Sequence, residues 1–292
     1  MRIRVLLAVF ITVLIAALML WPLMFPAKSP VYTYETSGET VAEHTSDTLW
    51  WRIERSTLDE VIIYLTKVYM AEPGRQIGKT TADWRENVQD TAALARKATD
   101  ASLLINASGY VTRQYWPIPD NYPGTSEDYY NTPLGSVTVT DGEVFRCLEG
   151  IPYYGLTVNT DGLHMHVGED PLSVLAQNPS QTFSFYVECP VIADHASILD
   201  PEWRFTRSRA MRNIICKIDD HNYLIMTVTN RKKGGLTMQQ CVDYLLEAFN
   251  PEWAYNLDGG PSAALMYRDE KGELQYVWKN GQENVDIMTF MN

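Results

Sequence analysis

The sequence predicts one α+β domain of mixed, largely antiparallel sheets with a few helices, preceded by an N-terminal transmembrane signal anchor. Three observations predict it. Two Asp-Gly pairs, Asp141-Gly142 and Asp161-Gly162, sit between alternating apolar runs, the pattern of tight hairpin turns. One stretch, residues 238–249, carries apolar residues at helical spacing and has stop signals at both ends. Residues 5–25 contain no charged side chain, and 21 residues are enough to cross a bilayer as a helix.

The elements follow in order. Arg2 and Arg4 precede the apolar run, which by the positive-inside rule keeps the N-terminus cytoplasmic and sends the rest across. The expected location is therefore a single-pass cell-membrane protein with an extracytoplasmic C-terminal domain. A cleaved signal peptide is the competing reading. It should end in a small-x-small site, whereas this run ends in Trp21-Pro22-Leu23-Met24-Phe25-Pro26. The expected organisation is residues 1–28 as cytoplasmic tip and anchor, 29–48 as a polar, aperiodic linker, and 49–292 as the domain.

Within the domain, residues 60–70 (EVIIYLTKVYM) read as a strand rich in β-branched and aromatic side chains. Residues 81–102 have helical composition with a Thr to cap the start, and a short buried strand begins at Leu103. Residues 112–135 read as a long irregular loop carrying Tyr115, Trp116, Tyr122, Tyr129 and Tyr130. Those rings either stack on sugar faces or pin the loop. Two hairpins follow, then strands at 181–189 and 213–229. In the helix 238–249, Met238, Cys241, Val242, Leu245, Leu246 and Phe249 share one face. Thr237 and Gln240 form a capping box, and Asn250-Pro251 ends it. Residues 253–257 then form a short buried strand.

Charge excludes one class of partner. Three of the 24 basic residues precede residue 29 and all 36 acidic residues follow it, so the remainder carries a net charge of −15. Such a surface repels nucleic acid. The four cysteines contain no CxxC pair, and Cys241 reads as a buried thiol on the helix face. His164 and His166 alternate on one strand face without a third ligand at sensible spacing, so no metal is expected. No P-loop or dinucleotide fingerprint occurs, and no cofactor is expected.

The strand at 253–257 ends in Asn256-Leu257-Asp258-Gly259-Gly260-Pro261-Ser262. Alternation places Asn256 and Asp258 on one face. The glycines allow close backbone approach and N–H groups aimed at an anion, and Ser262 adds a hydroxyl. Physically this suits a sugar or phosphate site as well as it suits a plain turn.

NLDGG followed by Pro-Ser resembles the NLDGGGSS signature of the phosphodiester glycosidases. Leu104-Ile105-Asn106 through Tyr110 looks like that family's INGDYY segment. Pro133-Leu134-Gly135 with Asp141-Gly142 is similar to its following turn and hairpin. Arg212 falls at the Arg of RTAIG, Asn230-Arg231 at the end of DGR, and Gly235-Leu236-Thr237 at its G-x-T. The ordered set covers roughly residues 60–292. The resemblance implies hydrolysis of the bond between a sugar and a phosphodiester oxygen, with a carbohydrate phosphodiester as partner and the membrane reached only through the N-terminal helix.

Carried over residue by residue, the resemblance gives Asp258 proton transfer and Arg212 the phosphate, through a guanidinium fork that matches two of its oxygens. Asn256, Asn106 and Tyr110 would orient the sugar. Arg231, Gly259, Gly260 and Ser262 complete the binding set. Each has a plainer reading as a strand-end amide, a turn Asx or an ion pair on the sheet. The sequence also departs from the family. Ala107 and Ser108 replace Gly and Asp or Gly, Thr229 replaces Asp, Pro261 replaces the third glycine and Ala263 the second serine. Glu283-Asn284-Val285 lacks the Arg expected before the last strand. These departures keep open a second reading, a membrane-tethered glycan-binding or polysaccharide-assembly protein with the same fold and no catalysis.

Overall fold

Strands dominate because most apolar runs here are short, β-branched and bounded by turn residues. The computed structural model describes residues 38–82, 89–110, 130–185, 187–229, 234–279, 281 and 283–292. The expected anchor at 5–25, most of the aromatic loop and Arg231 lie outside the described residues. Among the described residues no helix is long and apolar enough to cross a membrane.

The described residues open with β1 (Glu39–Thr45), β2 (Leu49–Leu58) and β3 (Val61–Met70), then a helical turn Pro73–Gln76 and β4 (Ile77–Thr81). After β5 (Gln89–Asp90) come the helix Thr91–Lys97 and β6 (Ala101–Asn106). The hairpins are β7 (Val137–Thr140) with β8 (Glu143–Cys147) and β9 (Tyr153–Asn159) with β10 (Gly162–Glu169). Next are β11 (Gln181–Ser184), β12 (Pro190–Ala193), β13 (Ala196–Ser197), β14 (Arg212–Lys217) and β15 (Asn222–Val228). The helix Met238–Ala248 precedes β16 (Trp253–Asn256), β17 (Ala264–Arg268), β18 (Leu274–Lys279), β19 (Glu283–Asn284) and β20 (Asp286–Met291).

Eight strands form the large sheet in the order β1-β2-β3-β15-β14-β16-β12-β13, and five form a second in the order β18-β17-β6-β20-β4. Strands β10-β9-β11 make a third, smaller sheet. Every strand pair among the described residues is antiparallel, so the expectation of some mixed pairing is not met. The main core lies between sheets, where Trp51, Val68, Ile225 and Tyr255 meet Leu103, Ile105, Leu265 and Phe290. The large sheet's other face (Ile63, Ile214, Met226) is covered by Met238, Cys241, Val242 and Leu245 of the long helix. Leu94 and Ala95 of the helix Thr91–Lys97 cover the second sheet's far side at Leu104 and Met266. Strands buried on both faces explain why β3 reads as a nearly unbroken apolar run.

Three expectations shift. Residues 39–45 of the expected linker are β1, an exposed edge strand on β2 whose polar side chains hide its pairing. Among the described residues of the helix expected over 81–102, the helical ones are Thr91–Lys97, and Asp90 rather than a Thr caps them by accepting the Ala92 N–H at 2.8 Å. Thr81 instead ends β4, because the backbone of residues 77–81 pairs with β20. The second hairpin turns on Thr160-Asp161, one residue early, with Gly162 already paired to Asn159 at φ 138°. The long helix is as expected: Thr237 Oγ1 accepts the Gln240 N–H at 3.1 Å and Gln240 Oε1 accepts the Thr237 N–H at 3.0 Å.

Leu245 is fully buried between helix and sheet. Leu245→Ala is expected to lower stability by roughly 3 kcal/mol, read as a drop in the denaturant midpoint at unchanged slope.

Candidate functional site

The ends of β6 and β16 and the starts of β14, β17 and β20 meet at one edge of the two sheets. Register brings them there: Leu265 pairs with Ile105, Ile287 with Asn106 and Ile214 with Asn256. Strand ends expose backbone groups that no ladder satisfies, and here buried amides satisfy them. Asn106 Oδ1 accepts the Ala264 N–H at 2.8 Å and the Asn213 Nδ2–H at 2.9 Å, while its Nδ2 donates to Asp258 O at 2.7 Å. Asn213 Nδ2 also donates to Ala264 O, and its Oδ1 accepts the Thr227 hydroxyl at 2.7 Å. Asn106 and Asn213 are both fully buried. The Asn106-Ala107-Ser108 sequon is therefore internal, its acceptor nitrogen already engaged.

Asp258 is nearly buried. Its N–H donates to Ala107 O at 2.9 Å and its Oδ1 accepts the Gly259 N–H at 2.8 Å. Burial pushes its carboxyl up to about 7; hydrogen bonds from Ser262 and Gly259 oppose the rise, and the Asp286 carboxylate adds to it. A carboxyl that titrates near neutrality is matched to proton transfer. Ser262 is buried with its side chain on Asp258, so these two expected residues come together.

The other expected residues lie as follows. Asn256 is fully buried; its Nδ2 donates to Leu257 O at 2.7 Å and its Oδ1 has no hydrogen-bond partner among the described residues. The Gly260 N–H donates to Met211 O at 2.9 Å, so with Gly259 committed to Asp258 both glycine amides are turned inward rather than toward an anion. The Tyr110 hydroxyl donates to Glu283 O at 2.9 Å, tying the segment after β6 to β19. Pro261 is exposed at the start of a 3₁₀ turn, Gly260–Ser262, a place where its missing N–H costs nothing.

Arg212 is engaged by backbone carbonyls of the segment outside the large sheet. Neighbouring residues on a strand face opposite ways. Asn213 takes the face toward Asn106, which leaves Arg212 with the helical turn Arg204–Arg207. Its Nη2 donates to Phe205 O at 3.2 Å and Ser208 O at 3.0 Å, and its guanidinium lies 4.5 Å from the Phe205 ring centroid. Its buried Nε has no hydrogen-bond partner among the described residues, and burial pulls its basicity down. Arg209 is engaged by Asp59 at 2.9 Å.

Two residues that sequence reading passed over stand beside the site. Asp286 Oδ1 accepts the Ser108 N–H at 2.7 Å, and Lys79 Nζ lies 3.9 Å from Asp286 Oδ2, both side chains being fully buried. The available signal was a charged residue at the head of an apolar strand in VDIMTF, and a lone Lys inside the apolar start of IGKTT.

Comparison with known proteins follows the same lines. Residues 120–289, more than half of the chain, match the phosphodiester glycosidase family. Among solved structures, the chain is similar to the catalytic domain of zebrafish N-acetylglucosamine-1-phosphodiester alpha-N-acetylglucosaminidase auto-inhibited by its pro-peptide. The TM-score is 0.62 at 13% identity, over 91% of this chain and 99% of that one. It is also similar to a hypothetical protein from Synechocystis, with TM-score 0.52 at 14% identity over 85% of this chain and 63% of that one. No curated protein sequence matches the chain. At such identities the likeness to the structures is one of fold.

Two outcomes test the geometry. Asn106→Ala strips partners from Asn213, Ala264 and Asp258 at once, and is expected to cost roughly 3 kcal/mol in denaturant unfolding. Asp258 has a folded value raised from 3.8 to about 7, so its share of stability is complete below 3.8 and is lost as pH rises through about 7. Between pH 5 and pH 8 the wild type should therefore lose roughly 2 kcal/mol relative to Asp258→Asn, measured by urea unfolding of both at each pH.

Proposed function

Because the chain belongs to the phosphodiester glycosidase family, we propose that it is an extracytoplasmic hydrolase, held by an N-terminal anchor, that cleaves a sugar from a phosphodiester in an envelope glycan or related conjugate. The observation that carries this reading is Asp258: a buried carboxyl at the end of a strand, fixed by Ser262 and Gly259 and titrating near neutrality. In the reaction water oxygen bonds to the anomeric carbon, the bond from that carbon to the phosphodiester oxygen breaks, and the phosphate monoester departs with that oxygen and the bonding pair. The proton leaves water and ends on solvent or the departing phosphate, and Asp258 exchanges it. A phosphate monoester leaves readily, so one well-placed proton carrier does much of what an ordinary glycoside asks of two groups. Asn106 acts by fixing the Asp258 backbone rather than by touching sugar.

Arg212 supports a second reading. Its guanidinium is held by the carbonyls of Phe205 and Ser208, so the group expected to clamp phosphate is already engaged, which suits a glycan-binding protein without catalysis.

Full-length protein in mild detergent, given an N-acetylglucosamine-1-phosphodiester of a simple alcohol, separates the two. The hydrolase releases free sugar, and Asp258→Asn lowers kcat/KM by about 10²- to 10⁴-fold. Saturable binding without sugar release, unchanged in Asp258→Asn, supports the binding protein and sinks the hydrolase.

A further inference from the structure

A second carboxylate reaches the site on the last strand. Asp286 opens β20, opposite Thr81 of β4, and is fully buried. Its Oδ1 takes the Ser108 N–H, while Ala107, one residue earlier, offers its carbonyl to the Asp258 N–H. The two acids are thus tied to consecutive residues of one segment, directly after Asn106. Among the described residues nothing donates a hydrogen bond to the buried Oδ2 of Asp286, a costly state unless a charge compensates. Lys79 Nζ stands 3.9 Å from it, near enough to attract and too far to bond. The ammonium's own bond runs to Val139 O at 2.9 Å, and it sits 5.1 Å from the Phe183 ring centroid.

The groups around the pair come from several elements. Lys79 arrives from β4 and Ser108 from the segment after β6. Asp141, in the turn between β7 and β8, bears electrostatically on Lys79. The Tyr153 phenol of β9 is within electrostatic reach of Asp286 and bonded to Leu156 O and Phe183 O. Ser262 and the Gly259 N–H act on Asp258 itself.

We propose that Asp286, with Lys79 behind it, is a positioning residue for the hydrolysis: its buried negative charge sets the protonation of Asp258. This rests on the reading of Asp258 as the proton-transfer group. Two carboxylates in one low-dielectric region do not ionise together easily, so the one beside the cation ionises first and its charge holds the proton on the other. Burial leaves both acids above their ordinary values; Lys79 and Ser108 hold back the rise of Asp286, and Asp286 in turn raises Asp258. Burial also brings Lys79 to about 8, so the cation is present through the neutral range.

The test is carbon NMR of full-length protein labelled at the aspartate carboxyl carbons, in wild type and Asp286→Asn, with pH–rate profiles beside it. In the wild type Asp286 should ionise at lower pH than Asp258. In Asp286→Asn the Asp258 midpoint should fall by about one pH unit, and the rate limb that Asp258 governs should move down equally with KM little changed. A midpoint that stays put in a folded variant overturns the inference, as does a wild type in which Asp286 is still protonated when Asp258 ionises. The second result needs no variant, so it decides even if Asp286→Asn does not fold. An unmoved midpoint in an active enzyme sinks this inference alone. A moved midpoint in a protein that never releases sugar upholds the pair and sinks the hydrolase reading.

Discussion

The arrangement at the strand ends depends on one bridge, the hydrogen bond from Asn213 Nδ2 to Asn106 Oδ1. Asn213 belongs to the eight-stranded sheet and Asn106 to the five-stranded one, so this bond joins the two sheets where the ladders stop. Apolar faces alone leave two packed sheets free to slide, since area is non-directional. A buried amide pair is not free: each nitrogen and oxygen has one place to go, and a half-satisfied network costs more than an apolar contact. The chain of bonds runs from the Thr227 hydroxyl through Asn213 and Asn106 to the Asp258 carbonyl. The position of Asp258 is therefore fixed by residues on both sheets rather than by its own loop.

Parity along β14 has an equally firm consequence. A strand has two faces and a period of two, so placing Asn213 toward Asn106 commits Arg212 to the other side. There it meets the carbonyls that end the helical turn Arg204–Arg207, which act as acceptors for a buried guanidinium. The two neighbouring residues serve different layers: one joins sheet to sheet, the other joins sheet to the segment packed outside it.

What could be read in the sequence was whatever local chemistry decides. The helix Met238–Ala248 was legible because its apolar period, its Thr237–Gln240 box and its stop all lie within a dozen residues. Asp141-Gly142 was legible because both residues take positive φ, 52° and 78°, in a two-residue turn. The edge strand β1 was not, because an exposed strand carries no apolar alternation and is defined only by its partner β2. Nor was β4, whose last residue Thr81 opens the stretch of helical composition, since its pairing with β20 comes from more than 200 residues away. Asp258 and Asn106 lie in motifs that one segment displays; Asn213, Lys79 and Asp286 reach the same strand ends through register, which no single segment encodes. The partners of Arg212, the carbonyls of Phe205 and Ser208, likewise come from the way the segment before β14 folds back on it.

The Asp-Gly at 258–259 shows how the same dipeptide is put to a different use. Gly259 lies at φ −130°, ordinary extended backbone, so no turn requires a glycine there. A Cβ at that position would stand 2.8 Å from Met211 O, and the neighbouring Gly260 N–H bonds to that same carbonyl. The glycine is needed for closeness: it lets the loop lie against the chain entering β14. That contact draws Asp258 in from solvent instead of leaving it on a hairpin tip, as Asp141 is left. Burial is then the largest of the influences that bring its carboxyl near neutrality. The chemistry of the site follows from a missing side chain one residue along, and Pro261, exposed just beyond it in a turn that suits proline, does not disturb that contact.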